Sequence, residues 1–520
     1  MSTPDVTVSL AVYNTMPYLR ETLDSLVGQS IGHDRLEVVA VDDGSTDGSG
    51  ELLDEYAAAH PTVFRVIHQP NSGGPAGPCN RALEVATGRF VYFLGADDYL
   101  GQEALERMVG YADEHDADVV MGRVVGVNGR EIRQGVFRRN EPDLDRYGPD
   151  LRWSLANTSL YRRSLVERLG LRYVEGLPFG SDQPFMLEAV VHASRIAVLA
   201  DYTCYYAVDR HEMTNISYST PYAERLRCIE VLVETAARLV PAGTARDTVL
   251  VRHFTWEVPS LLRQGFRDLP ETFREKVCAD VASFLERYGN DAILDDLRVV
   301  PRVLLRLAQR GEVDLLTAML EAPDDEHATL LAGADGVYVE YPGFSADPPD
   351  PTYRLPDGKA LRDRMTQALE TVDATWEGRG THRRLVVEVA TNLRDPDGHT
   401  AVGALLRRRR DAYPVEDVVV VTGQTGATVV VAADLRGLPE TGPDGAGWKL
   451  RLTVAVGGHD VEVAVPAPAD VPGRVRFVRD RGVGTAWVEP GPGQLVVRVS
   501  RVPMKHAVRA VARRVSRRRG

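Results

Sequence analysis

The chain is short of the features that mark secreted, membrane-spanning or nucleic-acid-binding proteins. Its 520 residues include only four cysteines, Cys79, Cys204, Cys228 and Cys278, and none has CxxC spacing. A disulfide framework and a cysteine-built zinc site are therefore not expected, and the thiols read as reduced. No stretch of about 18 apolar residues occurs, so no transmembrane helix is predicted. The first residues, MSTPDVTVSLAVYN, lack a basic start followed by an apolar segment of signal-peptide length. These absences predict a soluble, cytoplasmic protein. Net positive charge is also missing: the formal charge is −13, which argues against general nucleic-acid binding. Charge is unevenly spread, however. From Met504 onward there is no acidic residue, whereas Lys505, Arg509, Arg513, Arg514 and Arg517 to Arg519 are basic.

What is present is organised. The length predicts two to four domains. Strand-like runs at 7–13, 36–43, 64–69 and 89–95 alternate with helical patterns at 17–29, 48–60 and from near Pro78. This alternation predicts an α/β domain with a parallel, doubly wound sheet. A helix is predicted over 102–115 and a further strand over 118–127. Residues 222–322 have helical periodicity. A Pro-rich stretch at 341–356 reads as a linker or long loop. Beyond it, a helix-like insert at 360–374 precedes short strands separated by Gly, Pro and Asp turns, which predict a β-sandwich.

Four segments carry chemistry: SLAVYN at 9–14, VDDGSTD at 41–47, NSGGPAGPCN at 71–80 and FLGADD at 93–98. Three of them are apolar strands running straight into loops that hold Asn or Asp. Ligand groups in open α/β sheets gather beyond the carboxyl ends of the strands. Backbone groups at Val12, Tyr13 and Asn14 can meet the edge of a pyrimidine. A carboxylate at Asp42 or Asp43 can accept from the uracil N3–H. Asp97 and Asp98 can hold Mg2+ or Mn2+ against a diphosphate. Each segment also has a plainer reading, since Asp, Ser and Thr at such positions cap helices. The nucleotidyltransferase alternative lacks its Gly-rich, Arg/Lys-bearing loop, because SLAVYNTMPYL after the first strand has neither feature.

The order and spacing of these segments resemble the nucleotide-sugar domain of family 2 glycosyltransferases, which have the GT-A fold. On that resemblance Asn71 and Gly73 shape the donor loop, and Arg210 closes over the diphosphate with His211 beside it. Asp182, in GSDQPF, is the general base of an inverting, UDP-sugar-dependent transfer. Three departures stand out: Gly95 where relatives often carry the first Asp of D-x-D-D, Cys79 where many carry Arg, and Ser181 where many carry Glu. Arg123, Arg130 and Trp153 are candidates for an acceptor groove. DVVMGRVVGVNGR, SLYRRSL, GSDQPF and RHEMTNIS look closest to the wall-teichoic-acid branch. That branch decorates polyol-phosphate chains from UDP-N-acetylglucosamine.

The implied organisation is a GT-A domain over 1–220, a helical linker region over 221–325, a β-sandwich over 326–500 and a basic tail over 501–520. Longer members of that branch assemble trimers through such a β-domain, so a homo-oligomer is expected here. No row of aromatics marks a sugar platform in the β-region, where Trp448, Phe477 and Trp487 are isolated. The tail reads either as a peripheral contact with anionic lipid or polymer at the inner membrane face, or as a solvated extension. RRRR at 407–410 is a second candidate polyanion contact or a solvated face. Two alternatives remain open. One is transfer to a capsular polysaccharide or lipid-linked glycan. The other is a degenerate domain that binds polymer without catalysis.

Overall fold

The computed structural model describes residues 3–210, 220–263, 265–322, 328–379, 383–423, 426–435, 438–441, 446–479, 482–491 and 494–503. The chain forms two compact units, Met1–Asp296 and Leu297–Gly520.

The first unit begins with the expected alternation. Strands β1 (Val6–Val12), β2 (Leu36–Asp42), β3 (Phe64–His68) and β4 (Phe90–Gly95) are linked by helices α1 (Leu19–Val27), α2 (Ser49–Ala59) and α3 (Ala76–Val85). They lie in the order β3-β2-β1-β4 and are all parallel. β1 is buried along nearly its whole length, as a parallel strand covered on both faces must be. Register then sets up the site. Val12 pairs with Asp42 and Ala11 with Gly95, so the three strands end at one level. The loops that follow them open on the same edge.

The rest of the unit breaks the parallel pattern. After β5 (Tyr99–Leu100) and α4 (Ala104–His115) come β6 (Val119–Val127), β7 (Ser159–Arg162), α5 (Arg163–Leu169), α6 (Asp182–His192) and β8 (Ile196–Val208). β7 runs antiparallel to both β4 and β6, and β5 antiparallel to β8, completing an eight-stranded mixed sheet. Helices α7 (Tyr222–Leu239), α8 (Thr244–Thr255), α9 (Glu257–Arg263), α10 (Glu271–Tyr288) and α11 (Asp291–Asp296) follow. The helical run breaks at Trp256, whose φ of −121° and ψ of −59° lie off the helix. Trp256 therefore projects from the corner between α8 and α9 and is 39% exposed.

The second unit starts with helices at Val299–Gln309 and Val313–Glu321 and a hairpin of Leu330–Gly333 with Gly336–Val339. The Pro-rich stretch is anchored rather than a free linker. It contains a short turn at Pro351–Tyr353 with Tyr353 buried, and Arg302 donates to the Thr352 carbonyl. Two antiparallel sheets follow, as a β-sandwich requires. The first holds Glu370–Glu377, Arg384–Thr391, Ala427–Asp434 and Asp417–Thr422 in that spatial order. The second is centred on Trp448–Val456 and Gln494–Pro503.

One expectation needs correction here. The helix expected over 360–374 is Gly358–Ala368, and Glu370–Glu377 is a strand. Thr371 and Val372 are β-branched and suit the pleated neighbourhood better than a helix. Within RRRR, Arg407 forms a paired contact with Glu462 at 2.7 and 2.6 Å, and Arg408 lies 4.5 Å from the Trp448 ring centroid. Those two arginines are engaged inside their own sheet. The basic tail from Met504 and the loop 211–219, with His211, lie outside the described residues. Among the described residues no helix is long and apolar enough to cross a membrane.

Candidate active site

At the carboxyl edge of β1, β2 and β4 the first unit holds a cavity of about 1380 Å3. Of the residues singled out above, Val12, Tyr13, Asp43, Asn71, Gly73, Asp97, Asp98, Asp182 and Arg210 line it, and Asn14 and Asp42 do not.

The first two loops are stitched together by local hydrogen bonds. Asn14 adopts a left-handed φ of 47°, and its Oδ1 accepts from the Thr46 backbone N–H at 2.8 Å. Asn14 therefore shapes the wall without facing the cavity. Asp42 is turned toward β3. Its Oδ1 accepts from the Ser45 N–H at 3.0 Å and its Oδ2 meets His68 Nδ1 at 2.9 Å. Burial pushes its carboxyl up, but the contacts from Ser45 and His68 outweigh burial and hold it below the ordinary carboxylate range. The adjacent Asp43 faces the cavity and organises the third loop. It accepts from Gln69 Nε2 at 2.6 Å, from the Ser72 N–H at 3.0 Å and from Ser72 Oγ at 2.9 Å. Asn71 Oδ1 accepts from the Gly73 N–H at 2.8 Å, and the φ of +85° at Gly73 closes this turn. Tyr13 is 52% exposed beside it, with its ring available to a planar ligand.

The two aspartates of FLGADD are not equivalent. Asp98 is buried, and both of its oxygens are taken: Oδ2 accepts from Tyr205 Oη at 2.5 Å and Oδ1 from the Val208 N–H at 2.7 Å. Burial and the neighbouring Asp97 charge push its carboxyl up to about 6. Asp97 is the more open of the two. Its Oδ2 accepts from Arg210 Nε at 2.6 Å, and the guanidinium of Arg210 lies 5.6 Å from the Tyr18 ring centroid. Among the described residues no group of three or more His, Cys, Asp or Glu side chains could cage a metal. The donor set fits a hard cation that takes one protein carboxylate, from Asp97, and draws its other ligands from phosphate and water, as Mg2+ usually does. Asp98, which also lines the cavity, is tied to β8 through Tyr205 and Val208 and lies 3.6 Å from Arg130.

Gly95 has a physical reason. A Cβ there would stand 2.8 Å from Asp98 Oδ2, 3.2 Å from Asp97 Oδ1 and 3.2 Å from Tyr205 Oη. A third carboxylate would crowd a buried acid already fixed by two donors. Gly95→Asp is therefore expected to destabilise the protein by about 1–3 kcal/mol, read as a lower Tm. An unchanged Tm would show that Asp98 can move aside.

Cys79 is a packing residue. Its thiol is buried, and desolvation pushes it up to about 12, so it is no nucleophile. Arg81 pairs with Glu84 on the surface of α3 and is not among the cavity residues.

Asp182 is the first residue of α6 and lines the cavity. Enclosure by protein raises its carboxyl above the ordinary range, opposed by backbone hydrogen bonds and by the Arg252 charge. The same cavity has a wall that the sequence alone largely hid. Trp153 and Trp256 pack with ring centroids 4.9 Å apart. Arg133 lies 4.1 and 4.7 Å from those two rings, and Arg252 lies 4.9 Å from Trp256. Arg130 and Trp153 line the cavity as anticipated, whereas Arg123 is not among its lining residues. Arg252 and Trp256 come from the helical region. Their signal was weak: an Arg and a Trp four residues apart, indistinguishable from an ordinary helix face.

Residues 7–170 match glycosyl transferase family 2, and residues 220–320 match the glycosyl transferase TarS linker domain. The chain is 34% identical over 351 residues to the poly(ribitol-phosphate) beta-N-acetylglucosaminyltransferase TarS of Staphylococcus aureus, covering 63% of this chain and 60% of that protein. It is 33% identical over 217 residues to a poly(ribitol-phosphate) beta-glucosyltransferase of Bacillus spizizenii, covering 42% and 34%. The chain thus spans about a third to three fifths of the length of these curated relatives. In fold it is similar to the crystal structure of S. aureus TarS, with TM-score 0.61, 21% identity, and 96% and 86% of the two chains covered. A shorter form of S. aureus TarS in complex with UDP-GlcNAc matches with TM-score 0.55 and 26% identity, over 65% of this chain and 97% of that one. Residues 7–170 are thus similar to a family 2 glycosyltransferase domain, and residues 220–320 to a linker domain of the TarS type.

Proposed function

We propose that the protein transfers a sugar, N-acetylglucosamine as the leading candidate, from a UDP-sugar to a polyol-phosphate polymer of the cell envelope, with inversion at the anomeric carbon. One observation carries the reading. One cavity is lined by Asp43, Asp97, Asp182 and Arg210 together with Arg133, Arg252, Trp153 and Trp256, the guanidinium groups lying over the indole rings. The relatives named above, one of them with UDP-GlcNAc bound, support both donor and acceptor.

The roles follow from placement. Asp43 and the backbone at Val12 and Tyr13 receive the uracil, with Tyr13 along the base. Asp97 would hold Mg2+ or Mn2+, which as a Lewis acid stabilises charge on the departing diphosphate. Arg210, already at Asp97, supplies a further cation within reach of phosphate. Asp182 takes the proton from the acceptor hydroxyl as its oxygen attacks the anomeric carbon. The cost of burial makes Asp182 a stronger base than an ordinary carboxylate.

The arginine-tryptophan wall suits an acceptor that alternates anionic phosphate with carbon-rich polyol, since guanidinium binds phosphate and indole covers C–H surface. Purified polyol-phosphate polymer is expected to be glycosylated at least about tenfold faster than neutral glycans when UDP-sugars are screened with Mn2+. Arg133→Ala should raise the acceptor KM about tenfold, as expected for losing one charge-assisted contact, and leave the donor KM unchanged. Equal use of neutral glycans would instead favour a capsular or lipid-linked acceptor. Absence of any UDP-sugar turnover would favour a non-catalytic polymer binder.

A further inference from the structure

A buried charged cluster shares Arg252 with the acceptor wall, and its Glu257 has no role in the reaction so far. Glu257, at the start of α9, is almost fully enclosed. Its Oε1 accepts from Gln183 Nε2 at 3.2 Å and lies 3.5 Å from Arg252 Nε. Its Oε2 lies 3.5 Å from His253 Nδ1. The three partners come from two elements, Gln183 from α6 and Arg252 and His253 from α8. Gln183 directly follows Asp182 in the first turn of α6, and Arg252 lines the same cavity as Asp182. A carboxylate buried to this degree is costly unless it is paired. Burial alone would raise it, but Arg252, His253 and Gln183 together bring it down to about 2, so it stays ionised.

We propose that Glu257 is a positioning residue for the base: it fixes Arg252 beside the cavity and grips Gln183, so that the linker helices set both the orientation and the electrostatic surroundings of Asp182. The inference rests on Asp182 being the base. The groups facing Asp182 from the other elements are Cys79 of α3, Tyr161 of β7 and Tyr173, all buried and neutral, together with Arg252 of α8. Arg252 is the charged group among them, and Glu257 is its counter-ion.

This arrangement makes two variants move one property in opposite directions. Asp182 works when ionised, so the rate falls as pH drops through its pKa. Arg252→Gln removes a cation that favours the carboxylate, and the acid limb of the kcat–pH profile should move to higher pH. Glu257→Gln leaves Arg252 without its counter-ion, and the limb should move to lower pH. Shifts of about half a unit or more are expected, with kcat about tenfold lower in Glu257→Gln and the UDP-sugar KM within about twofold. A merely structural role for Glu257 would lower Tm and active fraction and leave the limb in place. Limbs that do not move, or that move in the same direction, would overturn the proposal. If Glu257→Gln does not fold, Gln183→Met removes only the donor to Glu257. A fall of about tenfold in kcat at unchanged UDP-sugar KM supports the link, and unchanged kcat overturns it. Failure of this inference is distinct from failure of the reading beneath it. The latter requires Asp182→Asn to remain active, whatever these variants do.

Discussion

Asp182→Asn is expected to lower sugar transfer by about 10^2- to 10^4-fold, the usual range for losing a positioned general base. This corresponds to about 3–5 kcal/mol of transition-state stabilisation. The substitution is nearly isosteric. UDP affinity and Tm should therefore be nearly unchanged. The wild-type rate has its own signature. Because enclosure raises the Asp182 carboxyl, the acid limb of kcat should lie above the ordinary carboxylate range, and Asp182→Asn should abolish that limb. The sign follows directly: the working form is the anion, it is lost as pH falls, and a raised pKa brings the loss on sooner. Transfer at wild-type rate in Asp182→Asn would remove this residue from the chemistry. Weakened UDP binding would move it to the donor side.

Asp97→Asn should have an effect of similar size by a different route. Asp97 is the more exposed carboxylate of FLGADD, with Oδ2 engaged by Arg210, whereas Asp98 has one oxygen engaged by Tyr205 and the other by Val208. UDP binding measured by calorimetry should strengthen on adding Mn2+ in the wild type, and this enhancement should vanish in Asp97→Asn. Transfer should fall by at least about 10^2-fold, consistent with losing a Lewis acid at the leaving group. Asp98→Asn should behave otherwise. It disturbs the contacts of a buried acid, so its main effect should appear in Tm, with the Mn2+ enhancement retained in the folded fraction. Equal Mn2+ enhancement in wild type and Asp97→Asn would show that the cation is held elsewhere.

The contrast between Asp97 and Asp98 shows how far residue type carries. Both are adjacent acids after an apolar strand, and nothing in FLGADD ranks them. Their difference arises because β8 passes alongside and supplies Tyr205 and the Val208 N–H to one of them only. Asp42 and Asp43 repeat the lesson. Consecutive residues at a strand end point to opposite sides, so one meets His68 beneath the sheet and the other reaches the cavity. Choosing between them requires knowing which side the ligand occupies. Gly95 looked like a lost acid, yet its Cβ position is filled by the neighbours it would have joined.

The helical region was legible as helix and not as part of the site. Its periodicity marks which faces are apolar, but Arg252 and Trp256 reach the cavity because the helix breaks at Trp256 and α8 packs against the turn at Leu151–Trp153. That is a property of packing between segments some 100 residues apart in sequence. By itself the sequence determined the alternation of β1 to β4 and the loops in which polar residues follow them. It also determined the carboxylates available there, because periodicity and strand-end chemistry are local. Tertiary structure decided which carboxylates face the cavity, which arginines pair with them and what else lines it. Those outcomes depend on the side of the sheet each residue takes and on the elements that later cross it, and no local pattern encodes either.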